Sequence, residues 1–393
     1  MIADQERLPT VSVFAGPSGG HLFPALAFAE ALRNRIPQVR VELVTSKRAR
    51  TFEAQMAGGV FDHIIYLNDF PFSPGFSLRA ITFLLKLLQA FWSSWRYLSE
   101  AKPVLAVGFG SYVSYPGMLL SSWKKIPTVI HEQNCAPGRA TKWLAPHVDR
   151  VTTSFPGTFS KHKSAAVEFV GLPIRASVCS AARKTVQGCS GRNEILRLLV
   201  MGGSQGAHSL NRTVLQCFSL LESEEKRKIA VTHITGKSDY EEVVRSYRNL
   251  GVRNQIFPFF ENIEDLYREA DLAITRAGAN TLFELALFRL PAIVVPYPHA
   301  GGHQQANAEM FEARRAILLK QESDFTGDWL VEQVRGLNKN LDGRRAMVTA
   351  LEVFAVPDAA EKLVDVAVKI VEREAWKDLS QRMSSDPQSA PTS

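Results

Sequence analysis

Cysteine is scarce in this 393-residue chain, and the cysteines present are not arranged for a metal site or a disulfide framework. No pair is spaced as C-x-x-C, and no histidine cluster accompanies them. The sequence therefore argues against a zinc site and a disulfide-rich scaffold, and it fits a reducing compartment. The cysteines are Cys135, Cys179, Cys189 and Cys217.

A secretion signal and a long apolar span are also lacking. The N-terminal segment MIADQERLPT has no apolar signal core, so nothing in it marks the chain for secretion. The charge-free stretch 103–123 is interrupted by glycines and prolines, with serines and tyrosines between them. This pattern predicts a strand, a glycine turn and a helix instead of a membrane span.

Acidic residues are outnumbered by basic ones, which gives a formal charge of +7 and a sequence pI of about 9.2. A basic excess suits an anionic partner, such as nucleic acid, a phosphate-bearing substrate or an acidic membrane surface. Solubility alone explains a surplus of this size equally well. The length and the 46% hydrophobic content predict two globular domains with their own cores.

Two glycine-rich loops follow apolar runs and precede helical patterns. The first is GPSGGH at 16–21, after the run 11–15, and the second is GGSQGA at 202–207, after the run 195–201. Their glycines and serines align position by position. Strand, glycine loop and helix form the opening unit of a doubly wound α/β domain, so the chain is predicted to contain two Rossmann-like domains.

Loops of this kind bind anions, because bare backbone N–H groups and the positive end of the helix dipole meet there. Both loops also match G-x-S-x-G, the nucleophile elbow of serine hydrolases, and Ser204, Asp271 and His303 occur in the matching chain order. An elbow should occur once, however, and the first copy opens the chain with no sheet before it. The duplication favours diphosphate binding.

The segment 271–311 carries a second candidate site. A strand ending at Thr275 leads through a turn into a helix expected to start near Thr281, which places Glu284 in its first turn. A carboxylate there can accept hydrogen bonds from both ribose hydroxyls of a nucleotide. It can equally stabilise its own helix N-terminus, and the spacing alone does not separate these interpretations.

The motifs resemble those of the MurG glycosyltransferases of family 28. The matching segments are GPSGGHLFPALA, GFGSYVSYPG at 108–117, HEQNCAPGRATKWLA, GLPIR, MGGSQGA and TRAGANTLFELALFRLPAIVVPYPHAGGHQQANA, in family order over residues 11–311. This chain differs from the family pattern where Ser111 and Tyr115 replace usual glycines and where Gly302 replaces a usual aspartate.

The resemblance implies a GT-B fold, with two Rossmann-like domains facing each other across a cleft. It implies an N-terminal acceptor domain at 8–170, a C-terminal UDP-sugar domain at 171–357 and a last helix, 358–376, that packs back on the first domain. Residues 377–393 are polar and expected to be disordered. The donor-binding residues that it implies are Ser18, Gly19, Gly20, Asn134, Arg175, Ser204, Phe260, Ala279, Asn280, Thr281, Leu282, Phe283, Glu284, Gln304 and Gln305.

The implied reaction is inverting transfer of N-acetylglucosamine from UDP-N-acetylglucosamine to the 4-hydroxyl of an undecaprenyl-diphosphate-linked muramyl pentapeptide. His21 is the candidate general base, because the attacking hydroxyl must lose a proton and a helix N-terminus disfavours protonation of an imidazole. Alternatively, His21 only hydrogen-bonds its loop or a phosphate. No D-x-D sequence is present, so we expect no protein-bound metal and no cofactor.

Two other functions stay open: a GT-B transferase with a different lipid or glycan acceptor, and a silent nucleotide-sugar-binding protein. The expected partners are UDP-N-acetylglucosamine, the lipid acceptor and the inner face of the cytoplasmic membrane, without nucleic acid. The expected location is peripheral, on the cytoplasmic face of that membrane.

The segment 80–98 is unusually apolar. Its helical stripe consists of Ile81, Leu84, Leu85, Leu88, Trp92 and Trp95, and Phe83, Leu87 and Phe91 lie off it. Aliphatic, aromatic and basic residues together suit docking on an acidic bilayer, with Trp123, Lys124 and Lys125 expected nearby. A helix buried between neighbours is the alternative.

Overall fold

The chain forms two α/β units. The computed structural model describes residues 8–52, 56, 58–68, 78–159, 166–184, 195–202, 207–298 and 301–371. Unit 1 consists of Met1–Gln133, Pro137–Arg175 and Asp358–Ser393, and unit 2 of Asn134–Ala136 and Ala176–Pro357. Apart from the short segment Asn134–Ala136, the chain passes from unit 1 to unit 2 after Arg175, a few residues beyond the predicted boundary at 170.

Unit 1 contains a seven-stranded parallel sheet in the order β3-β2-β1-β4-β5-β6-β7. Every residue of β1 is buried, as expected of a central strand covered on both faces. The strands are β1 Thr10–Phe14, β2 Arg40–Ser46, β3 His63–Leu67, β4 Leu105–Gly108, β5 Thr128–Glu132, β6 Arg150–Thr153 and β7 Ala166–Phe169.

Helices cover both faces of this sheet. The first four are α1 Gly19–Arg35, α2 Leu78–Ala101, α3 Ser114–Trp123 and α4 Arg139–Leu144, and the last helix of the chain, α14 Ala359–Ile370, also belongs to unit 1. Residues of α14, including Leu363 and Ala367, share the core of β1 and α1. The stretch 103–123 forms β4, a turn and α3, which confirms the predicted pattern.

Unit 2 contains a six-stranded parallel sheet in the order β10-β9-β8-β11-β12-β13. The strands are β8 Leu196–Met201, β9 Ile229–Ile234, β10 Arg253–Phe257, β11 Leu272–Thr275, β12 Ala292–Val294 and β13 Leu318–Leu319. The helices are α5 Ala176–Lys184, α6 His208–Leu220, α7 Ser223–Arg227, α8 Tyr240–Tyr247, α9 Ile263–Glu269, α10 Ala279–Leu287, α11 His303–Glu312, α12 Gly327–Lys339 and α13 Leu341–Leu351. The two parallel sheets confirm the predicted Rossmann-like pair.

Each unit buries one histidine inside a strand. His131 of β5 is hydrogen-bonded to Thr152 and Ser154, at 3.0 and 2.9 Å. His233 of β9 is bonded to the Tyr247 hydroxyl and to Asn211, at 3.0 Å each. Because burial removes water from the charged form, the pKa of each imidazole is lowered to about 3. Both rings are therefore neutral at pH 7.

Among the described residues, no helix is long and apolar enough to cross a membrane. The expected end of the last helix, 372–376, and the tail 377–393 lie outside the described residues.

Candidate functional site

The first candidate site lies at the carboxyl edge of the unit 1 sheet, between β1 and β4. The strand order turns at this pair, because β2 and β3 lie to one side and β5 to β7 to the other. In open α/β sheets, ligands bind in the crevice at such a switch point. The loops that follow β1 and β4 are therefore the ones expected to contact a substrate.

The helix after β1 starts earlier than its apolar pattern suggested. Gly19 and Gly20 already belong to the first turn of α1, and Ser18 is the exposed N-cap residue. The Ser18 carbonyl accepts hydrogen bonds from the backbone N–H groups of His21 and Leu22, at 3.0 and 2.9 Å. Ser18, Gly20 and the half-buried His21 thus surround the start of a long helix, where an anion is favoured.

The His21 ring lies against the backbone of two glycines. A methyl group on Gly16 would be 2.8 Å from His21 Cδ2, and one on Gly110 would be 3.3 Å from Cε1. The same methyl group on Gly16 would be 2.3 Å from Cβ of Ser111. Only glycine permits this close approach at position 16, so the contacts place the imidazole between the loops after β1 and β4.

The loop after β4 has an unusual backbone. Gly110 and Ser111 both adopt positive φ, 78° and 71°, and serine rarely does so. The Ser114 hydroxyl donates to the carbonyl of Phe14 at 3.0 Å, which ties this loop to the end of β1. Ser111, which replaces a usual family glycine, therefore contributes a side chain beside His21 at some cost in backbone strain.

Arg175 lies beside α1. Its guanidinium carbon is 5.1 Å from the centre of the Phe23 ring, and its Nε is buried without a hydrogen-bond partner among the described residues. A buried guanidinium N–H of this kind is an available donor for an anionic ligand. Unit 1 thus brings together Arg175, His21 and the α1 N-terminus.

The second candidate site lies at the carboxyl edge of the unit 2 sheet, around α10. This helix begins at Ala279, so Glu284 lies in its second turn and not in the first turn that we predicted. The dipole effect is confined to the first turn, which weakens the alternative that Glu284 serves its own helix N-terminus. Glu284 is 8% exposed, and its carboxylate accepts a 2.9 Å hydrogen bond from the Tyr267 hydroxyl.

The side chains near Glu284 differ in their access to a ligand. Leu282 and Phe283 are buried in the unit and Ala279 nearly so, whereas Asn280 and Thr281 are half-buried. The predicted ligand contact of this turn therefore depends on the two polar side chains. Half-buried Phe260 packs edge-on against Phe257, with ring centroids 4.9 Å apart, just beyond the carboxyl end of β10.

The two glutamines of α11 have different surroundings. The Gln304 Oε1 accepts the N–H groups of Ala277 and Tyr297, at 3.2 and 2.9 Å, so it connects the loops after β11 and β12. Gln305 donates to Glu309 one turn further along, at 2.7 Å. A sugar contact by Gln304 would therefore use its amide nitrogen.

Two buried polar residues were not predicted. Arg276, 6% exposed, donates to Ser209 and to Glu322 at 2.9 and 2.7 Å, and to carbonyls after β12. Asn307 is fully buried and bonded to the segment 134–136 and to Ala277. In the sequence, each of these two residues is a polar residue within an apolar pattern. That pattern does not reveal which group the side chain is hydrogen-bonded to.

The hydrolase alternative fails on geometry. Asp271 precedes β11 and forms an ion pair with Arg197 at 2.9 Å, so it lies at the amino edge of the sheet. β8, which precedes Ser204 in the chain, ends at the opposite edge of the sheet, and Ser204 itself lies outside the described residues. Among the residues that are described, no group of three or more His, Cys, Asp or Glu is placed to hold a metal ion.

The apolar segment of α2 is exposed. Leu84, Leu85, Leu88, Trp92 and Trp95 form, with Trp123 at the end of α3, an apolar stripe whose members are each more than half exposed. Ala90, Ser94 and Leu98 form the buried face of the same helix, so burial of the stripe between neighbours is ruled out. Lys124 lies 5.4 Å from the Trp95 ring, which confirms that 123–125 is nearby.

Family models match most of the chain. The glycosyltransferase family 28 N-terminal domain matches residues 11–153, and the C-terminal domain of the same family matches residues 197–363. A transferase of Desulfotalea psychrophila is 35% identical over 374 residues, covering 94% of this chain and 99% of its own. A relative from Bordetella pertussis is 32% identical over 383 residues, covering 93% and 99%. Both are named UDP-N-acetylglucosamine–N-acetylmuramyl-(pentapeptide) pyrophosphoryl-undecaprenol N-acetylglucosamine transferase.

Solved structures of glycosyltransferases are similar to this chain along most of its length. MurG of Acinetobacter baumannii is 28% identical with a TM-score of 0.72, covering 92% of this chain and 99% of its own. The kitacinnamycin glycosyltransferase has a TM-score of 0.68 at 16% identity, covering 93% and 100%, and supports the fold alone.

Proposed function

This chain belongs to glycosyltransferase family 28, and we propose that it is the N-acetylglucosaminyltransferase of peptidoglycan synthesis. It transfers N-acetylglucosamine from UDP-N-acetylglucosamine to the lipid-linked muramyl pentapeptide. The observation that carries this function is identity of 35% along nearly the whole length of a transferase with that name. The residues at the carboxyl edges of both sheets fit the chemistry.

The reaction requires one new bond, one broken bond and one proton transfer. The acceptor 4-hydroxyl attacks the anomeric carbon of N-acetylglucosamine, the bond to UDP breaks with inversion, and the hydroxyl proton passes to a base. His21 is proposed as that base, supported by its place at the switch point, where two loops hold its ring. Charge that develops on the leaving diphosphate is stabilised by N–H donors and helix N-termini.

The donor nucleotide is proposed to bind along α10. Glu284 accepts hydrogen bonds from the ribose hydroxyls, and the Tyr267 hydroxyl orients its carboxylate. Phe260, Asn280 and Thr281 contribute the surface for the uracil, and Gln304 and Asn134 contact the sugar. Ser204 is proposed to bind the diphosphate on the grounds of its motif alone.

The acceptor carries a long hydrocarbon chain, so the enzyme must reach it at a membrane surface. We propose that the apolar stripe docks on the acidic cytoplasmic face of the bilayer. Exposed Lys86 lies on α2, exposed Lys124 and Lys125 follow α3 directly, and each would add about 1 kcal/mol of attraction to anionic lipid. On this proposal the enzyme is peripheral, on the cytoplasmic face of the inner membrane.

Release of UDP tests the transfer. UDP-N-acetylglucosamine is supplied with and without a short-chain lipid-linked muramyl pentapeptide, and acceptor-dependent release is the expected result. Tight UDP binding without acceptor-dependent release would instead favour a different lipid or glycan acceptor. Ser111 in the loop after β4 and Tyr115 in α3, which replace usual family glycines, make that alternative worth testing. If transfer is seen, His21→Ala should abolish most of it while UDP still binds.

Vesicle sedimentation tests the docking surface. Leu88→Ser, in the apolar stripe, should weaken binding to vesicles with anionic phospholipid, and added salt should weaken it further. Val353→Ser is the matched control, because Val353 is similarly exposed, at 60% against 56%, but lies in unit 2. Equal binding by both variants would contradict docking through the stripe.

A further inference from the structure

The helix α11 directs three side chains at the backbone of other segments of unit 2. His303 Nδ1 lies 2.8 Å from the carbonyl oxygen of Ala136, Gln304 Oε1 accepts the N–H of Ala277, and Asn307 contacts both of these segments. Residues 134–136 and the turn after β11 are far apart in sequence. Both segments contact α11, and each contains or adjoins residues that are proposed to contact the donor.

Asn307 is the residue common to both segments. Its Oδ1 accepts the backbone N–H of Cys135 at 2.9 Å, and its Nδ2 donates to Asn134 Oδ1 at 3.1 Å and to the Ala277 carbonyl at 3.4 Å. The side chain is 0% exposed. Because a buried amide with a donor on one side and acceptors on the other has one satisfied orientation, its position is fixed chemically.

This orientation determines how Asn134 is presented. Since Asn307 approaches with an N–H, Asn134 must turn its oxygen toward α11, and its amide nitrogen occupies the other branch of the planar group. Gln304 is held in the same sense, with its oxygen engaged by backbone N–H groups. Both amides thereby direct their oxygens at these protein partners, and each nitrogen carries N–H groups that can donate to sugar hydroxyl or carbonyl oxygens.

We propose that Asn307 is a positioning residue for recognition of the donor sugar. It touches neither substrate. Instead it sets the amide of Asn134 and fixes the Ala277 peptide, which leads into α10. This proposal rests on the proposed donor site. It adds that Asn307, a buried residue, determines how much more tightly the site binds the UDP-sugar than UDP. Glu284, the proposed ribose contact, accepts its hydrogen bond from Tyr267. Binding of UDP alone should therefore depend on Asn307 much less than binding of the UDP-sugar does.

Asn307→Asp is the sharpest variant. The carboxylate keeps the acceptor for Cys135 N–H but faces Asn134 Oδ1 and the Ala277 carbonyl with an oxygen. Asn134 is then favoured to rotate its amide, which presents an oxygen where the sugar requires a donor. We expect the ratio of the dissociation constants for UDP-N-acetylglucosamine and UDP to rise by about tenfold, the usual effect of one lost hydrogen bond with an unpaired partner.

Competition titration with UDP and UDP-N-acetylglucosamine measures this ratio without any acceptor. A failure of transfer to the lipid would therefore leave the test intact, and the two failures are distinguishable. Asn307→Ala is compared with the control Asn211→Ala. Asn211 is also a buried asparagine of unit 2, 1% exposed and hydrogen-bonded to Asp239 and His233. Asn211→Ala should lower thermal stability and leave the ratio unchanged.

Asn134→Asp covers the case in which Asn307 variants do not fold. The carboxylate introduced by Asn134→Asp would still accept the hydrogen bond from Asn307, but the amide nitrogen would be lost. The ratio should therefore rise as in Asn307→Asp while Tm is nearly preserved. An unchanged ratio in Asn134→Asp would overturn the proposal. The proposal would also be overturned if Asn307→Ala, like Asn211→Ala, lowered the affinities for UDP and UDP-N-acetylglucosamine by the same factor. That result would indicate that Asn307 has a purely structural role.

Discussion

The two candidate sites are held in place by different kinds of contact. In unit 1, His21 is placed by shape, because Gly16 and Gly110 allow its ring to lie directly on their backbones. In unit 2, Asn134, Gln304 and Glu284 are placed by hydrogen bonds from Asn307, from backbone N–H groups and from Tyr267. Steric placement tolerates no added volume, whereas hydrogen-bonded placement tolerates no change of donor and acceptor.

The difference suits the proposed roles. A base must approach an attacking hydroxyl closely, and closely packed backbone fixes its ring at that position. A sugar and a nucleotide are recognised by the direction of their hydrogen bonds, which requires fixed amides and carboxylates. Variants that change volume and variants that change polarity should therefore affect the two units unequally.

Gly16→Ala should have the largest effect. The new methyl group would lie 2.3 Å from Ser111 Cβ and 2.8 Å from His21 Cδ2, so the loop and the imidazole must move. A displacement of about 1 Å at a catalytic group costs on the order of 100-fold in kcat. Steady-state kinetics should show this loss, and UDP affinity should change much less, because the uridine and ribose of UDP are proposed to bind unit 2.

Gly58→Ala is the control for that substitution. A methyl group there would meet no atom within 4 Å, and Gly58 lies in unit 1 but in neither candidate site. The double variant Gly16→Ala with Ser111→Gly removes the closest clash and should recover part of the lost kcat. No recovery would mean that contact with His21 alone causes the loss, and equal loss in Gly58→Ala would refute placement by shape.

Glu284→Ala tests the hydrogen-bonded unit. Loss of a carboxylate that accepts hydrogen bonds from ribose should weaken UDP binding by about 1–3 kcal/mol. Tyr267→Phe removes the hydroxyl that orients the carboxylate but keeps the ring against Phe288, where the centroids are 5.3 Å apart. It should cost less, about 0.5–1.5 kcal/mol. Calorimetric titration with UDP measures both, and wild-type affinity in Glu284→Ala would remove the ribose assignment.

The buried histidines sharpen the comparison through pH. His131 and His233 have a pKa lowered to about 3 by burial, while an unfolded histidine titrates near its usual value of 6.5. The unfolded chain therefore binds more protons between these values, and stability falls as pH falls through that window. From pH 7 to pH 5 each histidine should cost about 2 kcal/mol of unfolding free energy.

Urea denaturation at pH 7 and pH 5 measures this loss. His131→Gln should reduce the pH dependence of unit 1 alone, and His233→Gln that of unit 2 alone, so the two variants reveal whether the units unfold independently. Either variant is also expected to be less stable at pH 7, because each ring makes two side-chain hydrogen bonds. A pH dependence unchanged in both would contradict the assignment of neutral imidazoles.

Sequence patterns predicted the parallel α/β units well, because buried parallel strands are continuous apolar runs followed by glycine turns. They misplaced helix starts. The glycines at 19 and 20 suggested a loop but lie within α1, and Glu284 lies one turn further into α10 than expected. Helix starts depend on capping and on contacts that local composition does not determine.

The hydrogen-bond partners of buried polar residues could not be predicted from the sequence. Gln304 was assigned to the sugar, yet its oxygen is engaged by Ala277 and Tyr297. Asn307 and Arg276 drew no assignment, although both are buried and bonded on several sides. A polar residue that contacts a ligand and one that supports the residue contacting it have the same local pattern, so only the folded chain distinguishes them.

Gln305→Ala should have the smallest effect and separates the two glutamines of α11. Gln305 donates to Glu309 on the helix surface, a pair that contributes no more than about 0.5 kcal/mol to stability. If Gln304 alone contacts the sugar, Gln305→Ala should change Tm and the KM for UDP-N-acetylglucosamine only slightly. Gln304→Ala should raise that KM and also lower Tm, because two backbone N–H groups lose their acceptor. A KM raised about tenfold by Gln305→Ala at unchanged Tm would instead show that half-buried Gln305, whose side chain donates to exposed Glu309, recognises the sugar. That result would contradict the conclusion that buried hydrogen bonds position the ligand contacts of unit 2.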